Sequence, residues 1–307
     1  MEVLLKKQEI EASKRLFVER LDSRIGKGKT CATFGELLQG VLPSDRNFLV
    51  TFPIQKYSSA YFEYLEDMPL TVYPSHKKKS LKIAQLILEH FNITPRGTLT
   101  IQTGVPEGKG MASSSSDLVA TARAVSSYFN HFLTNSLLES FMSEIEPSDG
   151  VMYDGCVSYY HKEALLRSYL GSLPSLVILA IDEGGEVDTI EFNSKRKLFT
   201  RAEKYEYSIL LRTLEAAVRK KDITAIGKIS TKSAILNQKL KLNRYLSNFI
   251  KVHEIVQSIG VAIAHSGTYI GLLFDKYDQS LNLKLTQAKE LFKQNNIIEK
   301  PSIYYSL

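Results

Sequence analysis

The stretch PEGKGMASSSSD, residues 106–117, sets two glycines, a lysine and four consecutive serines directly ahead of an amphipathic run. Glycines that let a backbone turn tightly, followed by the free amides and positive dipole end of a helix, make an anion-binding device, and phosphate is its common ligand. Met111 and Ala112, flexible or small, leave the amides of such a loop accessible, and a hydroxyl of the serine run has the chemistry of a Mg²⁺ ligand. Without a ligand, the same residues read as a well-capped helix start, with Ser113 or Ser114 as N-cap and Asp117 in the first turn.

A second stretch competes for the phosphate. SRIGKGKT (23–30) would be a Walker A loop if Ser23 were glycine, but it lacks that residue and follows a charged helical pattern instead of a hydrophobic strand. A basic surface turn is expected there. Gly108–Lys109–Gly110 does not have Walker A spacing either, yet its flanks, GTLTIQT (97–103) as strand and a helix beyond, are those an anion site requires.

The elements that must position these residues follow from hydrophobic periodicity. Helices are expected over 1–24, 80–91, from 113 onward with a stripe of Leu118, Ala122, Val125 and Phe129, and over 134–145, 202–220, 222–238, 249–259 and 281–295. Strands are expected at 47–54 and 57–64 as a pair, at 97–103, at 175–182 and as a strand-turn-strand over 261–274. Strands and helices mix without regular βα repetition, which favours an α+β fold, with a domain boundary near Gly171 to Pro174.

Composition narrows the classes. The 307 residues are 44% hydrophobic and 23% charged, as in a folded globular protein. The charged N-terminal stretch has neither a secretory nor an anchoring pattern, and no segment is long and apolar enough for a membrane span, so a cytoplasmic protein without a membrane partner is expected. Two cysteines without paired spacing give no disulfide framework or zinc site. The net charge of +6 favours an anionic ligand such as a nucleotide. The clusters Lys77–Lys78–Lys79, Lys195–Arg196–Lys197 and Arg219–Lys220–Lys221 read as solvated surface, and no nucleic-acid partner is expected.

The run from Pro106 through Gly110, Met111, Ala112, Ser113, Ser114 and Ser115 resembles the central motif of the GHMP kinase superfamily, P-x-x-x-G-L-G-S-S-A. FGELLQG (34–40), EPSD (146–149) and AHSGTYIGLLFD (264–275) resemble, in the same order along the chain, motifs of that superfamily's bacterial L-threonine kinase subgroup. The resemblance implies a two-domain GHMP kinase fold, with a ribosomal protein S5 domain 2-like, ATP-binding N-terminal domain over 1–172 and a ferredoxin-like C-terminal domain over 173–307. It implies an ATP- and Mg²⁺-dependent kinase whose acceptor is the side-chain hydroxyl of L-threonine or a similar hydroxy amino acid. Alternatives are another small alcohol, such as homoserine, serine or a specialised-metabolite precursor, and a nucleotide-responsive regulatory protein on the same scaffold. A homodimer is compatible with each.

By the same resemblance, Pro106, Gly108, Lys109, Gly110, Met111, Ala112, Ser113, Ser114 and Ser115 would form the ATP cradle. Ser114 would bind Mg²⁺ together with either Glu139 or Glu146, and Asp149 would be the catalytic base, although PSDG alone reads as a turn. Glu36 and Gln39 would face the acceptor, the carboxylate pairing with its ammonium. His265, Ser266, Gly267 and Thr268 would join the substrate side as the tight turn bracing the phosphate loop. Where mevalonate kinase relatives carry a lysine near the first motif, this chain has Ala32–Thr33–Phe34.

Overall fold

The structure, a computed structural model, describes residues 24–185 and 199–307. The helix expected over 1–24 and the cluster at 195–197 lie outside the described residues. Alternation of small and charged residues starts the sheet. In GKGK (26–29) the glycines are buried and the lysines exposed. A Cβ on Gly26 would stand 2.1 Å from the Ala124 carbonyl oxygen, and one on Gly28 would stand 1.9 Å from that of Ala120. The expected basic turn is therefore the start of strand β1 (Gly26–Val41), whose glycines are used for close packing on a helix.

Its partner is β2 (Asn47–Glu63), antiparallel. The two strands expected at 47–54 and 57–64 are successive parts of β2; Gln55 and Lys56, both exposed, bulge between them where Ala32 pairs Ile54 and Cys31 pairs Tyr57. The chain continues through β3 (Thr71–Tyr73), α1 (Lys78–His90), β4 (Thr98–Thr103), α2 (Ser113–Phe129), α3 (Asn135–Ser143), β5 (Cys156–Tyr160) and β6 (Leu165–Gly171). Then follow β7 (Leu176–Asp182), α4 (Arg201–Lys220), α5 (Ile223–Asn237), α6 (Leu246–Val256), β8 (Gly260–Ile263), β9 (Tyr269–Asp275), α7 (Leu281–Gln294) and β10 (Ser302–Tyr305).

The fold is the mixed α and β arrangement expected. One sheet path runs β10-β7-β9-β8-β1-β2-β4-β3, with β5 added on β2 and β6 on β5. The crossing from the early strands to the late ones is the pairing of Glu36 with Ile263. Leu118, Ala122 and Val125 of the α2 stripe pack with Ile83 and Ile87 of α1 and Phe62 of β2 in one core. Phe249, Val252 and Phe292 of α6 and α7 close a second core on β7, β8 and β9. Between them a third core joins Phe34, Phe52 and Tyr304, with Tyr207 of α4 and Ile226 of α5. Among the described residues no helix is long and apolar enough to cross a membrane.

Candidate active site

The loop ahead of α2 is built by backbone contact. Gly108 and Gly110 have φ of +69° and +74°, a region that glycine enters freely. A Cβ on Gly110 would lie 2.7 Å from Gly267 Cα, and one on Gly267 would lie 1.9 Å from the Lys109 oxygen. Thr268 N–H donates to that oxygen at 3.2 Å, and Thr33 N–H donates to the Met111 oxygen at 3.2 Å. The loop is thus gripped by the turn at 264–268 on one side and by β1 on the other.

Gly267 and Thr268, expected on the substrate side, brace the loop and do not line the cavity beside it. Lys109 is also turned away. Its ammonium lies 2.9 Å from Asp182 Oδ2 and donates to the Gly185 oxygen, while Thr268 Oγ1 donates to Asp182 Oδ1 at 2.5 Å. Pro106 is exposed and outside the cavity lining.

The four serines have four separate positions and none is a side-chain cap. The N-cap is Ala112, at φ +56° and without a side-chain cap bond, so the expected capping by Ser113 or Ser114 is replaced by a left-handed turn. This frees the hydroxyls. Ser114 Oγ donates to Glu146 Oε1, Ser115 Oγ accepts from the Asp149 N–H at 3.1 Å and stands 3.3 Å from Asp149 Oδ2, and Ser116 Oγ donates to the Cys31 oxygen at 2.9 Å. One helical turn therefore aims consecutive hydroxyls at Glu146 and Asp149.

A cavity of about 420 Å³ opens over this turn. Gly108, Gly110, Met111, Ala112, Ser113, Ser114 and Ser115 line one wall. Lys77, Lys78, Lys79 and Ser80 line another, because the N-terminus of α1 faces the same space. Lysines expected as solvated surface thus stand at the site. Lys77 is nearly buried, with Glu107 Oε1 at 2.6 Å and Asp117 Oδ2 at 2.5 Å, and donates to Thr103 Oγ1 at 3.0 Å. Lys79 pairs with Glu146.

The far end carries Glu36, Gln39, Leu49, Asp149, His161 and Ser266. Asp149 is half-buried, and its carboxyl is pushed up to about 7, first by loss of solvent and then by the negative charges of Glu36 and Glu146. Glu36 Oε2 accepts from the His265 backbone N–H at 3.1 Å and stands 2.9 Å from His265 Nδ1. A carboxylate there makes Nδ1 the protonated nitrogen, so His265 Nε2 accepts from Ser233 Oγ at 2.7 Å, and Ser233 Oγ in turn accepts from the Gln39 N–H at 3.4 Å. His265 is thereby a brace behind the wall that orients Glu36; Ser266 is the residue of that turn that reaches the cavity. Gln39 Oε1 is buried and without a hydrogen-bond partner among the described residues.

Residues 78–162 match the family described as GHMP kinases N terminal domain. The chain is 26% identical to the L-threonine kinase of Citrobacter freundii over 267 residues, 84% of this chain and 90% of that protein. It is 25% identical to the L-threonine kinase of Salmonella typhimurium over 256 residues, 80% of this chain and 81% of that protein. The chain thus carries a match to the GHMP kinase N-terminal domain and is similar to kinases over most of its length. It is accordingly an ATP-dependent phosphotransferase acting on the hydroxyl of a small alcohol. The solved homoserine kinase of Cytophaga hutchinsonii shares the fold, with a TM-score of 0.69 at 16% identity, covering 93% of this chain and 95% of that one.

The donor set of the cavity fits Mg²⁺ at one place. Ser114 Oγ and the Glu146 carboxylate, both at the cavity, already hydrogen-bond each other, and oxygen ligands of this kind suit a hard cation. Glu139 does not share that place. Its Oε1 accepts from Tyr153 Oη at 2.9 Å and from the Leu166 N–H at 2.8 Å, and burial raises its carboxyl above the usual range. Of the two glutamates expected as ligands, Glu146 stands at the site and Glu139 ties α3 to β6.

Sequence reasoning missed Lys77, Lys79 and His161. A signal existed for the lysines: HKKKS directly precedes the apolar helical pattern of α1, so the cluster had to sit at a helix N-terminus. For His161, on the turn between β5 and β6, no local signal exists.

Proposed function

We propose that this chain is a GHMP kinase that transfers the γ-phosphate of Mg-ATP to the side-chain hydroxyl of L-threonine or a similar hydroxy amino acid. The observation that carries the reading is Asp149, a half-buried carboxylate at the acceptor end of a cavity whose other end is a helix-terminal anion cradle. Mg-ATP supplies a phosphoryl group whose charge is partly neutralised by the metal. The amides of residues 108–114 and the ends of α1 and α2 hold the polyanion, while Ser114 and Glu146 offer the metal two oxygens.

Asp149 accepts the proton of the acceptor hydroxyl. Its backbone N–H and one carboxylate oxygen are both fixed on Ser115, which aims the carboxylate, and a proton affinity near neutrality suits a general base. The acceptor end has the charge that an ammonium requires. Glu36 and Asp149 are both acidic, and the open Gln39 Oε1 takes an N–H donor, which an amino-acid ammonium supplies and a plain alcohol does not. Glu36 Oε2 is held by His265, so the carboxylate acts on the ammonium through its field and its other oxygen.

The test is coupled ADP release with Mg-ATP against L-threonine, serine, homoserine and alcohols without an amine. Turnover with the hydroxy amino acids, fastest with L-threonine, is expected. Equal rates with amine-free alcohols, or no acceptor-dependent ADP, would overturn the reading.

A further inference from the structure

We propose that Lys79 is a phosphate ligand of this site: its ammonium rests on Glu146 in the nucleotide-free chain and passes to the terminal phosphate of a nucleoside triphosphate. The proposal rests on the kinase reading of the cavity and extends it to a residue outside the family motifs.

Three observations converge on it. Lys79 Nζ pairs with Glu146 Oε2 while Ser114 Oγ occupies Oε1, so the lysine stands where a metal on that carboxylate would bring its own positive charge. Two cations cannot share one carboxylate without repulsion, and the lysine is the mobile one, on a flexible four-carbon stem with 42% of its side chain exposed.

Two of the other nearby lysines are committed. Lys77, with 9% of its side chain exposed, is enclosed by Glu107, Asp117 and Thr103, and Lys109 is drawn away to Asp182 and Gly185. Lys79 also sits in the first turn of α1, whose uncapped N-terminus faces the cavity directly, so an anion that draws the lysine meets the helix end as well.

The acidic end makes such a cation necessary. Glu36, Glu146 and Asp149 together oppose the approach of a triphosphate, and a lysine released from one of them is a counter-charge already in place. Lysine suits the task because it binds phosphate as a point charge and needs no fixed plane.

The test is calorimetric titration of ADP and of β,γ-imido ATP in Mg²⁺ into the full chain, without any acceptor. In Lys79→Met the triphosphate analogue is expected to bind about 10- to 100-fold more weakly, the loss of one charge-assisted contact, with ADP changed by less than about threefold. Lys79→Arg should restore most of the triphosphate preference. Lys82→Met, on an exposed position of the same helix outside the cavity lining, should leave it unchanged. A second readout is Mn²⁺ binding to the nucleotide-free chain by electron paramagnetic resonance, where Lys79→Met should bind the ion more tightly because the competing ammonium is gone.

Equal losses for both nucleotides, no loss at all, or the same loss in Lys82→Met would overturn the lysine assignment while the kinase reading stands. A wild-type chain that binds neither nucleotide would overturn both. Intact nucleotide results with no turnover of any hydroxy amino acid would sink the acceptor alone.

Discussion

At one end of the cavity lie two helix N-termini, two left-handed glycines and a row of lysines; at the other lie Glu36, Asp149 and the buried amide of Gln39. The loop at the first end is held by backbone contacts with the turn at 264–268. The groups at the second are held by side chains, through Ser115 on Asp149 and through Ser233 and His265 on Glu36. A single space thereby carries a positive and a negative end. Polarity of that kind sorts two substrates, a polyanion and a cationic alcohol, and sets their reacting groups face to face.

The largest expected effect separates the two ends. Asp149→Asn should lower kcat by about 10²- to 10⁴-fold, the range for a lost general base, while ADP affinity measured by calorimetry stays within about twofold. The same variant has a stability signature. Because the folded-state carboxyl is raised from 3.8 to about 7, the stability it contributes is full below 3.8 and is lost as pH rises through about 7. The ionised carboxylate, desolvated and beside Glu36 and Glu146, is therefore a cost at pH 8. Asp149→Asn should melt a few degrees higher than wild type at pH 8 and at nearly the same temperature at pH 4. Thermal unfolding of the metal- and nucleotide-free chain checks this.

A smaller change sharpens the contrast. Gln39→Leu removes the open amide oxygen at the acceptor end, so KM for the amino acid should rise about tenfold while KM for ATP is unchanged. Steady-state kinetics with each substrate varied in turn gives the result; a rise in both constants would mean the two ends are not independent. The smallest effect belongs to the phosphate end. Ala112 holds a left-handed φ of +56° at the head of α2, a conformation costing an alanine about 1 kcal/mol relative to glycine. Ala112→Gly should raise unfolding stability by about that amount in denaturant titration, with KM for the amino acid unmoved.

The same comparison explains what the sequence disclosed. The phosphate end is local: glycines, serines and a strand-helix junction within a dozen residues, each with its own propensity, so the loop and α2 were legible. Its serines were misjudged as caps because the left-handed turn at Ala112 has no signal in its own residue type, and the loop ahead of it packs at Gly110 on Gly267 far along the chain. The acceptor end is assembled from residues more than a hundred positions apart, and nothing local distinguishes Glu146 from Glu139. The fold chooses between them, spending Glu139 on Tyr153 and Leu166. The start of β1 was hidden for a related reason. Its buried face is made of glycines, which carry no hydrophobic signal, and only the helix lying on them reveals why they are there. Short strands such as β3 and β10, three and four residues long, have too few side chains to show a period.

Phosphorus NMR of the chain incubated with Mg-ATP and L-threonine tests most directly that the two ends serve one transfer. The account predicts a new phosphomonoester resonance, coupled to the threonine β-proton, growing in step with ADP. Release of inorganic phosphate alone, or a phosphorylated product carrying the group on the carboxylate, would contradict it.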